Sequence, residues 1–199
     1  MTTIKRFTST LLAAAILGLA THGPAQAMDV AGIQLEDATK VGGKDLVLSN
    51  AGVRIKVLFK VYVLGIYLNE KKNTVPDILG APGPKRFKLV MMRDLTGEEF
   101  GSSFMGAINK NLEKDEKTKF VNQLLKFGEM FETVGNLKKG DVITGDWVPG
   151  TGTVLQLNGK PLVEPLADPQ FYNALLKIWL GDKPVDTSLK PVLLGEKKG

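Results

Sequence analysis

The chain has no cysteine, and its one histidine, His22, lies near the start. Without cysteine there is no disulfide, no thiol nucleophile and no thiolate metal site. The start itself reads as an export signal. Lys5 and Arg6 precede an apolar stretch, LLAAAILGLA over residues 11–20, followed by Pro24 and by Ala25-Gln26-Ala27, a small-x-small cleavage pattern. The apolar stretch is shorter than the ~20 residues needed to span a bilayer, and no later segment is apolar enough to do so. The expectation is therefore a signal over residues 1–27, cleaved after Ala27, and a periplasmic or secreted mature chain. Cleavage also removes His22. That excludes a Ser-His-Asp triad and His/Cys zinc sites in the mature part, and leaves Asp, Glu, Lys or Tyr for acid–base work.

Charge of one sign is also scarce. The whole chain carries 26 basic and 21 acidic residues. The signal takes Lys5 and Arg6 with it, which leaves 24 against 21, or +3. A surplus this small, scattered in short pairs such as Lys71-Lys72 and Lys138-Lys139, does not point to nucleic acid. Removing 27 of 199 residues leaves 172, one domain by length, stabilised by apolar burial.

What is present is a change of period along the chain. Residues 38–41 and 44–48 read as short strands about Gly42-Gly43. Over residues 53–68, VRIKVLFKVYVLGIYL first alternates, then turns apolar on both faces from Val61 onwards, as in a covered central strand. Residues 85–92 form another strand. Thr96 with Glu99 then makes a capping box. Phe100, Phe104, Ala107, Ile108 and Leu112 follow at helical spacing. A second helix is expected from near Asp115 to Gly135-Asn136, with Phe120, Leu124, Phe127, Phe131 and Val134 on one stripe. Strands return over 141–148 and 151–157, and Asn158-Gly159 signals a hairpin into 160–164. Asp168-Pro169 starts a last long helix that ends at Gly181, and a short helix is expected between 187 and 194. Strands, two helices, a hairpin and further helices describe an α+β fold with an antiparallel sheet.

Most chemical motifs fail on inspection. Gly135-Asn-Leu-Lys-Lys-Gly140 has phosphate-loop spacing, but Asp141 stands where Lys is required and a helix precedes it. Glu98-Glu99 and Asp115-Glu116 suit helix starts. Arg93-Asp94 reads as a strand-end ion pair, and Trp147 as packing. Met91-Met92 fits core filling or the wall of a flexible apolar pocket. Arg54 and Tyr62 remain. Eight residues apart, they share a face of a straight strand but stand ~26 Å apart at ~3.3 Å per residue. They can meet on one ligand only if the chain turns between them, near residues 56–59, where no Gly or Pro marks a turn.

Gly52-Val53-Arg54, then KVYVLGIYL over residues 60–68, then Leu95-Thr96-Gly97 opening a helix, resemble chalcone isomerase and its relatives. FYNALLKIWLG over residues 171–181, with Pro184 and LKPVLLG over 189–195, is similar to the C-terminal signature of bacterial chalcone isomerase-like proteins. The resemblance implies an open-faced β-sandwich, an antiparallel sheet with helices packed on one face, and no cofactor or metal.

In the plant enzymes that this family contains, an Arg steadies the substrate and its developing oxyanion. A Thr and a Tyr hold water at the ketone, and an Asn with a second polar residue grips the far phenol. Arg54 matches the Arg. The Thr position is Tyr62, the Tyr position Phe100, the Asn position Ala107, and the polar pair on the last helix Ile178-Trp179. Most of the polar constellation is thus replaced by apolar groups. Arg plus Tyr resembles instead the family's fatty-acid-binding branch, in which the pair holds a carboxylate at the end of an apolar cleft. The resemblance therefore implies a non-catalytic binder of a small amphipathic carboxylate, with Arg54, Tyr62, Phe100, Ala107, Met91, Ile178 and Trp179 as ligand-binding residues. An isomerase acting on an unsaturated ketone through Arg54 and Tyr62 is the alternative, and a partner-binding protein with a vestigial cleft is a third.

Overall fold

A computed structural model describes residues 27–196; the export signal expected over residues 1–27 lies outside that range except for Ala27. The chain runs β1 (Ala27–Val30), β2 (Ile33–Glu36), β3 (Ala38–Val41), β4 (Lys44–Lys56), β5 (Phe59–Leu68), α1 (Val75–Gly80), β6 (Lys85–Met91) and β7 (Leu95–Thr96). It continues through α2 (Gly97–Asn111), α3 (Lys114–Lys119), α4 (Val121–Val134), β8 (Asn136–Leu137), β9 (Val142–Val148) and β10 (Gly152–Leu157). It ends with β11 (Lys160–Pro161), α5 (Pro169–Leu180) and α6 (Leu189–Leu193).

Seven strands form one antiparallel sheet in the order β11-β10-β9-β6-β5-β4-β3. β5 lies inside it, which explains why its residues from Val61 to Leu68 are all buried. Its even residues Tyr62, Leu64, Ile66 and Leu68 join the main core beneath the helices, with Phe100, Phe104, Phe131, Phe171 and Trp179. Its odd residues Val63 and Tyr67 face the other way, where Leu35 of the β1–β2 hairpin closes over them in a second, smaller apolar cluster. The helices thus occupy one face, as expected, and a hairpin that the sequence pattern had not indicated covers part of the other.

Three local expectations need correction. Residues 53–68 are not one strand. β4 begins at Lys44 and runs to Lys56, the chain reverses at Val57-Leu58, and β5 returns beside it with Lys56 opposite Phe59. The helix expected from Asp115 onward is interrupted at Phe120 (φ −99°, ψ 14°), which divides it into α3 and α4. Arg93 and Asp94 do not pair: Asp94 bonds Lys138 Nζ at 3.1 Å, and Arg93 lies over the ring of Phe59. Other signals act as read. Thr96 and Glu99 form the capping box of α2, and the Asp168 side chain caps α5 by accepting from the N–H of Gln170. Asn158 and Gly159 take φ values of 50° and 78°, as a tight hairpin turn demands.

The sheet and helices approach closely where a side chain is missing. A Cβ on Gly52 of β4 would stand 2.6 Å from Leu189 of α6. Within the sheet, a Cβ on Gly145 of β9 would stand 2.1 Å from the ring of Phe87, its cross-strand partner on β6.

Candidate functional site

The β4–β5 turn sets the geometry. It makes Arg54 and Tyr62 direct cross-strand partners. Just beyond this pair Ile55 lies opposite Lys60, so Val61 is an extra residue in β5, a bulge beside the pair. Both side chains rise on the helix face, and the guanidinium Cζ lies 5.4 Å from the centre of the Tyr62 ring.

Arg54 is only 4 % exposed. Its Nη2 donates to Ser103 Oγ of α2 at 3.0 Å. Its Nε–H meets no protein acceptor, and among the described residues no carboxylate forms an ion pair with it. Burying an ion without a counter-ion is costly. Ordinary ion pairing elsewhere in the sheet shows the contrast: Arg86 holds Asp146 through two bonds of 2.7 and 2.6 Å.

Tyr62 is fully buried. Its hydroxyl accepts a hydrogen bond from Trp179 Nε1 at 2.8 Å, and among the described residues the phenol proton has no acceptor. Burial pushes its pKa up to about 12, despite the opposing pull of the Arg54 charge and the Trp179 N–H. Tyr62 is therefore a donor and not a base near neutral pH. The edges of Phe100 and Phe104 pack against its ring, with centroids 6.3 and 6.5 Å away.

A recess of about 180 Å³ opens beside Arg54. Phe59, Val61, Leu95 and Phe100 supply apolar walls, and Arg54, Lys56, Arg93 and Ser103 polar ones. Glu99 is the one acid on its lining, and it accepts from Thr96 N–H to cap α2. Cations outnumber acids three to one, so the recess favours an anion. Behind Phe100 lies a separate, wholly apolar void of about 10 Å³ bounded by Phe87, Phe104, Phe127, Met130 and Phe131, among others. That is space for about one water molecule at most.

The residues anticipated from the sequence thus divide. Arg54 and Phe100 line the recess. Tyr62 stands a layer deeper, tied to Trp179, with Met91 as its partner on the neighbouring strand. Ala107 and Ile178 lie in the helix-side core and do not border the recess. The apolar tunnel expected behind the Arg–Tyr pair is filled by aromatic rings in this conformation. Ser103, Lys56, Phe59 and Arg93 were not anticipated. Ser103 sits one helical turn after Phe100 and could have been found from that spacing; the others depend on the turn.

An antiparallel sheet with helices packed on one face defines the class of fold. A sequence model described as chalcone isomerase-like matches residues 27–195, and the chain belongs to that family. Among solved structures, the fold is similar to that of a fatty-acid binding protein of Arabidopsis thaliana, with a TM-score of 0.66 and 16 % identity, over 82 % of this chain and 92 % of that one. No curated protein sequence matches the chain.

Proposed function

We propose that this protein is a non-catalytic binder of a fatty-acid-like carboxylate, with Arg54 at the polar end of the ligand. The observation that carries the reading is the buried guanidinium that bonds Ser103 and lies beside the Tyr62 ring but forms no ion pair with a described acid, on the wall of a recess rich in cations. A carboxylate supplies the missing counter-ion and an acceptor for the guanidinium fork. Phe100 divides the recess from the aromatic void, so the alkyl chain enters by displacing this ring. Each CH₂ it buries contributes roughly 0.8 kcal/mol. The phenol proton of Tyr62 becomes a second donor once Phe100 moves. The fatty-acid binding protein that shares the fold supports the same reading. Phe100 and Ala107 offer no polar group to a polyphenol, which speaks against cyclisation of a chalcone. The export-signal pattern read over residues 1–27 supports a periplasmic or secreted location.

The test is extraction of the purified protein under denaturing conditions, with mass spectrometry of the extract, alongside thermal shift with added fatty acids. Co-purifying fatty acid or a saturable rise in Tm is expected. An empty extract together with no shift across chain lengths would discard the proposal. Mixing the protein with a chalcone should leave its absorbance decay at the spontaneous rate.

A further inference from the structure

The β4–β5 turn that builds the site also carries an unusual surface. Val57, Leu58 and Phe59 are consecutive and are 84 %, 88 % and 60 % exposed. Single exposed apolar residues are ordinary, but three in a row at a protruding tip are not. Val57 moreover holds φ at 59°, a conformation that a β-branched residue adopts at a cost. Around this tip stand Lys56, Lys60 and Arg93, all exposed, with the Arg93 guanidinium 5.0 Å from the centre of the Phe59 ring. None of the three forms an ion pair with a described acid. The nearby acids are bonded elsewhere: Glu99 caps α2, though its charge attracts Arg93 and Lys56 at longer range, and Asp94 is held by Lys138 and the N–H of Lys139.

We propose that this turn docks the protein on the surface of an anionic lipid bilayer. Leu58 and Phe59 enter the boundary between headgroups and acyl chains, and Lys56, Lys60 and Arg93 meet the negative headgroups. An apolar point inside a cationic collar is complementary in charge and polarity to that surface. The shape decides between a membrane and a protein partner. A stable protein interface needs roughly 800 Å² from each side, and a convex two-residue turn offers far less, whereas a fluid bilayer admits a narrow point. Val57 and Phe59 also wall the Arg54 recess. Docking would therefore set the mouth of the recess against the membrane, a route for exchange of an amphipathic ligand. Only this last consequence rests on the ligand reading; the docking itself does not.

The test is flotation of the full mature chain with ligand-free vesicles of mixed phosphatidylglycerol and phosphatidylethanolamine, against vesicles of phosphatidylcholine alone. The protein should float with the anionic vesicles and not the neutral ones. Binding should weaken at high salt and fall about fivefold for each of Lys56 and Lys60 changed to Ala. Leu58→Asp should abolish it, and since Leu58 does not line the recess, fatty-acid binding in solution should persist in that variant. Arg54→Met should float as the wild type does even when it binds no fatty acid, which separates this proposal from the previous one. Failure of the wild type to float with anionic vesicles overturns the proposal. So does an unchanged Leu58→Asp, or a concentration-dependent dimer that this substitution dissolves.

Discussion

Replacing Arg54 by Met tests whether the buried cation serves the fold or a ligand. For the fold, Arg54 contributes a charged hydrogen bond to Ser103, about 1.5–3 kcal/mol, and a guanidinium over the Tyr62 ring, about 0.5–2 kcal/mol. Against these stands the desolvation of an ion that is 4 % exposed and has no acid partner, several kcal/mol even after relaxation. Met restores much of the volume and adds apolar burial of about 1–2 kcal/mol. The contributions nearly cancel, so the variant should be within about 1 kcal/mol of the wild type or more stable than it. For a chain of this size, 1 kcal/mol moves Tm by about 2–4 °C. For a ligand the outcome is one-sided. Losing the cation that faces a buried carboxylate costs about 2–5 kcal/mol, or about 30-fold in Kd at the least. Thermal melts without ligand and calorimetric titration with a fatty acid measure the two separately. A fall in Tm beyond about 8 °C, about 2–4 kcal/mol at this chain length, with unchanged affinity would make Arg54 a structural residue and refute the reasoning.

Three further substitutions probe the surrounding frame. Trp179→Phe removes the N–H that reaches Tyr62 and leaves a fully buried phenol oxygen unpaired; a loss of about 1–3 kcal/mol is expected by urea denaturation. Adding Tyr62→Phe should recover part of it, and strict additivity would mean the bond carries no coupling. Gly145→Ala forces a methyl to within 2.1 Å of the Phe87 ring, which Trp179 and Tyr172 hold from its sides; about 1–3 kcal/mol should be lost in thermal melts. Lys85 is buried, its Nζ donating to Leu79 O and Asn173 Oδ1, and burial lowers its pKa to about 8. The unfolded chain, with the ordinary value of 10.5, binds the extra proton between these values, so stability should rise from about pH 8 towards pH 10. Above pH 10 the buried phenols of Tyr62 and Tyr172, with raised pKa values, act in the opposite sense, because the unfolded chain ionises first. Urea midpoints at pH 7.5 and 9.5 should differ in the wild type, and Lys85→Met should flatten that rise; an equal rise in the variant would place its origin elsewhere.

The order of elements was legible because most of its signals are local. Asn158-Gly159 reverses the chain with both residues at positive φ, and Thr96 with Glu99 starts a helix, each for reasons contained in a few residues. The candidate site was legible only in part, because it depends on a turn that breaks the local rules. A two-residue hairpin with positive φ at its first position ordinarily places Gly there; this chain has Val57, followed by Leu58. What holds the turn is not its own chemistry but the ladder behind it, where β4 and β5 remain paired from Lys56–Phe59 back to Val47–Leu68. Long-range pairing of that extent outweighs a local cost of about 1–3 kcal/mol, and no window of sequence contains both strands' contribution. The β1–β2 hairpin was missed for a related reason: its Leu35 is buried only because Val63 and Tyr67, far along the chain, present a second apolar face. Sequences that violate a turn preference without an evident structural gain tend to do so where the residue has another task. At Val57-Leu58 the violation leaves apolar side chains in solvent beside Arg54, which is buried and forms no ion pair with a described acid, so the strained turn and its cationic collar suit the docking proposed for them better than any demand of the fold.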